Sequence, residues 1–311
     1  MFNFKDSHVQ KLSIINQFLL PDKEMIFFGL RGCTIVSDDS MEFKSEHSIE
    51  ITNYDHIHPN CIIGQYHQEK GIALFPGSTV PHSNHVLKSI SRRGLGTNML
   101  LTGFYNDYRK GWHKAGKPTG HEAFRQDNKL PVRRTMDDAD YDNDDRVEYG
   151  RPYDNIHAAW CMSANDQNFA SAGCQVIVGY PKCRRRVDPN LDLLPETGPW
   201  KYFRQNAYNI DQNSFSYLLL TGKDAMKVAT QGNKKLSPRL RYGSQGKLVK
   251  EVQKILKDKN FYEGRIDGDF GSRSLRAVLE FQEANFGLNG DDGIVGPITA
   301  SALGIKWPEK Y

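Results

Sequence analysis

Short apolar runs separated by turn residues fill the first two hundred positions. "EMIFFGLRGCTIV" (24–36), "CIIGQY" (61–66), "GIALFPGSTV" (71–80), "NMLLTGFY" (98–105), "NIHAAW" (155–160) and "CQVIVGY" (174–180) are mostly bounded by Gly, Pro, Asn or Asp. That pattern predicts buried strands joined by loops. "SFSYLLLTGKDAM" (214–226) fits a last strand or a short helix, because periodicity does not separate the two. Residues 106–154 hold few apolar positions and a dense acidic run, and are expected to form one long loop. From 222 to 238 the strand pattern gives way to Lys, Gly, Asn and Pro, the texture of a linker. Beyond it the period changes. Leu248, Val249, Val252, Ile255 and Leu256 lie at helical spacing with lysines on the opposite face. Leu275, Val278, Leu279 and Phe281 repeat the spacing, and "GPITASALGI" (296–305) gives a third, short helix with Pro297 near its start.

The turns between these helices are distinctive. "GRIDGDFGSRS" (264–274) pairs an Asp-Gly turn with a second glycine ahead of a serine-led helix, and "DDGIVGPIT" (291–299) repeats the device. With Leu240, Arg241, Gly243, Gly246, Val249, Val252, Gln253, Ala277, Val278, Phe281 and Gln282, residues 239–304 resemble the peptidoglycan-binding domain. The chain departs from that family's pattern mildly, at Val252 (usually Leu) and Ser274 (usually Thr). The resemblance implies a non-catalytic module that docks on cell-wall glycan or peptide, with Asp267, Gly268, Phe270, Gly271, Asp292 and Gly293 as its candidate wall-binding positions. Gly and Asp at such places first serve to close tight turns.

A second constellation lies in "NIHAAWCMSANDQNFASAGCQVIVGYP" (155–181). Cys174 sits where a tight turn meets a strand, and Gly173 allows the chain to turn so that successive N–H groups point one way. His157 lies in a strand of its own; two strands side by side would bring the imidazole to the thiol, take its proton and hold an ion pair. Ser171 could orient the turn or the ring. A histidine strand followed by a loop and Ser-x-Gly-Cys resembles the catalytic segment of L,D-transpeptidases over roughly residues 60–220, most strongly at 155–177. The resemblance implies Cys174 as nucleophile, His157 as its partner, and Ser171 and Gly173 as the supporting turn. Ala172 stands where that family usually has a second histidine, and Val176 where an arginine often anchors substrate; Arg151 or Arg125 would have to supply that cation.

Composition narrows the rest. In 311 residues, 41 Lys and Arg against 37 Asp and Glu leave a net charge of +4, with no arginine run interleaved with aromatics. Nucleic acid is not an expected partner. No segment is long enough to span a bilayer, and the N-terminus lacks the pattern of a signal peptide. The expectation is synthesis in a cytoplasm and delivery to the wall or periplasm by another apparatus, of phage or contractile-injection type. Five cysteines at irregular spacing argue against a disulfide framework. His56, His58, His113 and His121 form no HExxH, so neither metal nor cofactor is expected. The acidic run 137–150 alternates carboxylates as a calcium loop does, but has Asn143 at its sixth position and Tyr149 at its twelfth; a solvated loop is the preferred reading. Arg184, Arg185 and Arg186 read as a solvated turn.

The expected architecture is a mainly β catalytic domain, an L,D-transpeptidase-like β-sandwich, over 1–221. A polar linker at 222–238, an all-α three-helix domain at 239–305 that folds with few contacts across its boundary, and a tail at 306–311 would follow. The expected function is a cysteine acyl-transfer enzyme that cleaves the stem peptides of peptidoglycan. The alternatives are cross-linking by an L,D-transpeptidase, a non-catalytic wall-binding component, and a zinc peptidase or amidase.

Overall fold

The computed structural model describes every residue except 95, 136, 137, 139, 140, 142–144, 185–194, 232–234, 288, 289, 310 and 311. Six of the fourteen residues of the acidic run 137–150, and Arg185 and Arg186 of the arginine cluster, lie outside the described residues. β1 (Phe2–Lys5) and α1 (Asp6–Asn16) precede β2 (Ile26–Arg31), β3 (Cys33–Ile35), β4 (Glu46–Ile51), β5 (Cys61–His67) and β6 (Gly71–Ser78). α2 (Ser83–Ser91), β7 (Asn98–Leu100), β8 (Gly103–His113), β9 (His121–Arg125), β10 (Leu130–Arg134) and β11 (Val147–Gly150) follow. β12 (Ile156–Ala158), β13 (Gln175–Ile177), α3 (Gly198–Tyr208), β14 (Ser214–Thr221) and α4 (Gly222–Thr230) complete the N-terminal part.

The fold is mixed α/β, and its main sheet is a closed barrel in the order β12-β13-β6-β5-β2-β14-β8-β9, not the expected open sandwich. Pairing of Ile156 with Phe124 joins β12 to β9 and closes the ring. Alternation then sends one set of side chains inward. Phe27, Ile63, Phe75, Tyr108, Phe124, Ile156, Ile177 and Phe215, one from each strand, form a single buried cluster, plugged by Trp200 and Phe203 of α3. The alternate residues of β2, β5, β6 and β14 pack outward against α1 and α4.

Two expectations about local structure are corrected. Residues 106–154 are not one loop; β8 to β11 run through them, because strands buried on one face only carry too few apolar residues to stand out. The segment 222–238 is not a linker throughout. After β14 the chain turns at Thr221, whose hydroxyl caps α4 in a capping box with Asp224, and Ala225 and Val228 are buried beneath it. "SFSYLLLTGKDAM" is therefore strand and then helix.

The C-terminal helices are α5 (Lys247–Asp258), α6 (Ser272–Phe286) and α7 (Pro297–Leu303) around Val249, Val252, Phe270, Val278 and Phe281. Their boundary with the barrel is not sparse in contacts. Arg239 N–H donates to the Ile15 carbonyl at 3.0 Å, Gln245 N–H to Gln17 at 2.8 Å, and Phe104 N–H to Tyr242 at 2.9 Å. Gly243, at φ +89°, lies so close to the barrel that a Cβ there would stand 2.4 Å from the Phe104 carbonyl oxygen. Trp307 of the supposed tail donates its indole N–H to Pro238 at 3.0 Å.

Candidate active site

β12 and β13 do lie side by side, in parallel, with His157 opposite Val176 and Cys174 just before β13 begins. Residues 159–174 make the connection that parallel pairing requires. The turn is closed by Ser171: its hydroxyl donates to the Cys174 carbonyl at 2.7 Å and accepts from Gly173 N–H at 3.1 Å. Ser171 thus orients the turn, not the imidazole. Gly173 has φ +133°, and a Cβ on it would fall 2.2 Å from the Asn98 amide nitrogen. Gly173→Ala is therefore expected to cost about 1–3 kcal/mol, read as a lower urea midpoint; an unchanged midpoint would show that this turn yields freely.

Cys174 is half-buried, whereas Cys33, Cys61, Cys161 and Cys183 are buried. Its thiol points towards the Tyr153 carbonyl at 3.6 Å. His157 is buried, with Nδ1 at 2.8 Å from the Ala158 carbonyl, so Nδ1 carries the proton and Nε2 keeps a lone pair. Its ring stacks on His113 (centroids 4.2 Å apart, planes at 15°) and meets His121 edge-on at 5.4 Å. β8 and β9 deliver these two rings as a cross-strand pair, His113 opposite His121. Atoms of Cys174, His157 and His113 that could ligate a metal all lie within 4.8 Å of one another. Such a donor set suits a thiophilic cation, but Asn155 occupies the His113 Nδ1 at 3.0 Å.

The electrostatics correct the ion-pair expectation. Burial, with Asp154 adding to it, pushes the Cys174 thiol up to about 12. Burial, then the neighbouring His113 and His121, hold His157 well below its ordinary range. Both shifts favour a neutral thiol and a neutral imidazole over an ion pair. Asp154 is itself fully buried, pushed well up by burial, and takes one hydrogen bond from Asn98 while its Oδ2 has no partner among the described residues.

Sequence reasoning missed Asp154 and Lys114, and weighed His113 and His121 only as zinc ligands, without placing them beside Cys174 and His157. Lys114 is exposed at the end of β8, and its charge lowers His113, His121, His157 and Cys174 alike. Of the cations expected at the site, Arg125 is committed to the Trp112 carbonyl at 3.1 Å and to Asp127 at 2.5 Å, and Arg151 is exposed beyond β11. A cavity of about 650 Å³ lined by Trp112, Glu122, Trp200 and Arg204 does not include the thiol. Strand alternation turns Trp112 and Glu122 away from the face that carries His113 and His121.

In the C-terminal helices one device occurs twice. Gln253 of α5 accepts from Gly268 N–H at 2.8 Å and donates to Asp267, the Asp269 carbonyl and Ser274. Gln282 of α6 accepts from Gly293 N–H at 2.8 Å and donates to Asp292, the Ile294 carbonyl and Thr299. Residues 245–303 match the family described as peptidoglycan binding domain. The C-terminal region is a peptidoglycan-binding domain. No curated protein and no solved structure matches the chain. Within the peptidoglycan-binding domain, Asp267, Gly268, Asp292 and Gly293 are bound up in the two glutamine clamps, and Phe270 is fully buried. Gly271 caps α6. These contacts give the positions a part in holding the domain together, while Asp267 and Asp292 remain exposed.

Proposed function

We propose that the chain is a cysteine acyl-transfer enzyme that acts at the cell wall and cleaves peptidoglycan stem peptides. The observation that carries this reading is a partly buried thiol beside an imidazole whose tautomer leaves Nε2 as a base, on a chain with a peptidoglycan-binding domain. His157 Nε2 takes the thiol proton as Cys174 attacks the peptide carbonyl. The carbonyl electrons move to oxygen and return as the C–N bond breaks, and His157 gives the proton to the leaving amine. Water, activated by the same imidazole, then releases the acyl group. Lys114 replaces the expected arginines as the cation for a substrate carboxylate. L,D-transpeptidase-like cross-linking shares every step up to the acceptor.

Incubation of the full chain with muropeptides, followed by mass spectrometry, tests this. Cleaved stems from wild type and at least a thousandfold less from Cys174→Ala are expected, about the scale of removing a nucleophile. Cross-linked dimers instead of cleaved stems would establish transfer to an amine. The resting neutral thiol favours one second reading, a wall-binding component in which Cys174 merely packs; no product from either protein, with sacculus binding kept, would select it.

A further inference from the structure

The two stacked imidazoles beside Cys174 are held in opposite tautomers. Gln126 N–H donates to Asn155 Oδ1 at 2.9 Å, which fixes the amide so that its NH₂ faces His113 Nδ1 at 3.0 Å. An amide nitrogen only donates, so His113 Nδ1 accepts and the ring proton sits on Nε2. His157 is the reverse, its Nδ1 proton spent on Ala158. The cluster thus holds one sulfur, a lone pair on His157 Nε2 and an N–H on His113 Nε2, and one nitrogen of each ring lies within 4.8 Å of that sulfur.

We propose that His113 is a neutral N–H donor to the negative charge that develops on Cys174 as its proton passes to His157, a role resting on Cys174 being the nucleophile. The proton leaves sulfur for His157 Nε2, the electron pair stays on sulfur, and the His113 N–H hydrogen-bonds that pair until the C–S bond forms. Catalytic hydrogen bonds are commonly long in the unliganded protein and tighten with substrate, so the spacing within 4.8 Å suits this use. His113 makes no Nε2 hydrogen bond among the described residues, so its proton is uncommitted. The other charged or titratable groups around the sulfur include His157 on β12, Asp154 ahead of it, Tyr108 on β8 and Lys114 after β8, with His121 of β9 against the His157 ring. A thiophilic cation on the same three side chains is the rival use; it needs a lone pair that Asn155 occupies, or loss of the Nε2 proton.

Alkylation of Cys174 by iodoacetamide across pH 6–10, on the full chain, reads the donor without any wall substrate. His113→Phe keeps a ring to stack on His157 and removes the donor; His113→Gln keeps a donor. The expected result is a profile shifted about one pH unit upward in His113→Phe, a roughly tenfold slower rate at fixed pH, with His113→Gln close to wild type. Superimposed profiles for all three would overturn the proposal. So would a ¹⁵N spectrum of wild type showing His113 protonated on Nδ1, a measurement that stands even if the Phe variant fails to fold. Protection of Cys174 by one equivalent of Zn²⁺, abolished in His113→Phe, would overturn it in favour of the metal site. Failure of muropeptide cleavage by wild type would remove the proposed function yet leave this test readable.

Discussion

Arg241→Ala is expected to destabilise the full chain by about 3–5 kcal/mol, the usual cost of removing one partner of a buried ion pair. Arg241 is 2% exposed and sits in the seam between barrel and wall-binding domain. Its Nη1 donates to Thr102 at 2.9 Å and lies 3.5 Å from Asp224. Burial pushes the Asp224 carboxyl up, but Arg241, the Thr221 cap and Arg239 pull harder, and it stays below its ordinary value. Without Arg241 that carboxylate keeps its α4 cap and loses its main countercharge. Nε and Nη2 of Arg241 have no hydrogen-bond partner among the described residues, so the pair is not ideal, and Arg241→Met with Asp224→Asn should recover most of the loss. Urea unfolding of the three proteins decides it. A small loss in Arg241→Ala would mean that water reaches the seam.

The second large effect is on acid stability. Burial holds His113 down to about 3, His121 to about 4, and His157 well below its ordinary range, with the rings' mutual proximity adding at His113 and His157. In the unfolded chain each titrates near 6.5. Below that the unfolded state binds three protons the folded state refuses, so stability falls with pH by about 4 kcal/mol per unit for the trio, until His121 begins to protonate. Asp154, pushed well up by burial, and Asp291, pushed to about 6, act in the opposite sense between the unfolded value near 3.9 and their folded values. Each offsets part of that loss between roughly pH 6 and 4, while His8 and His85, also lowered by burial, add to it, and the expected net result is a urea midpoint that falls as pH falls. His121→Phe removes one proton from the balance and should make that fall shallower by about 1.4 kcal/mol per pH unit. A wild-type midpoint that is already flat would show that the imidazoles are hydrated.

Strand alternation made β2, β5, β6 and β13 legible because each is buried on both faces and reads as an apolar run. β8 and β9 were not legible, and with them went His113 and His121. A one-sided strand such as Gly103–His113 carries Asn106, Asp107, Arg109 and Lys110, which in sequence look like a loop. Cys174 and Ser171 were found because a tight turn needs its glycine and hydroxyl nearby in sequence; Asp154 was not, because a lone aspartate in an acidic stretch gives no sign that Asn98 will bury it.

The sequence by itself determined the local structure whose hydrogen bonds close over a few residues: the Ser171–Gly173–Cys174 turn, the helical faces of α5 and α6, and the repeated Asp-Gly turns of the wall-binding domain. Tertiary structure alone decided three things. Closure of the barrel through Ile156 and Phe124 turned an expected sandwich into a ring. Packing of α4 and Arg241 in the seam replaced an expected linker with a buried ion pair. The meeting of β8, β9 and β12 put His157 and His113 beside one thiol, with His121 against both rings. The reason is common to all three. Each depends on segments distant in the chain excluding water from one another, and charge state, tautomer and partner are set by that exclusion, which no local pattern records.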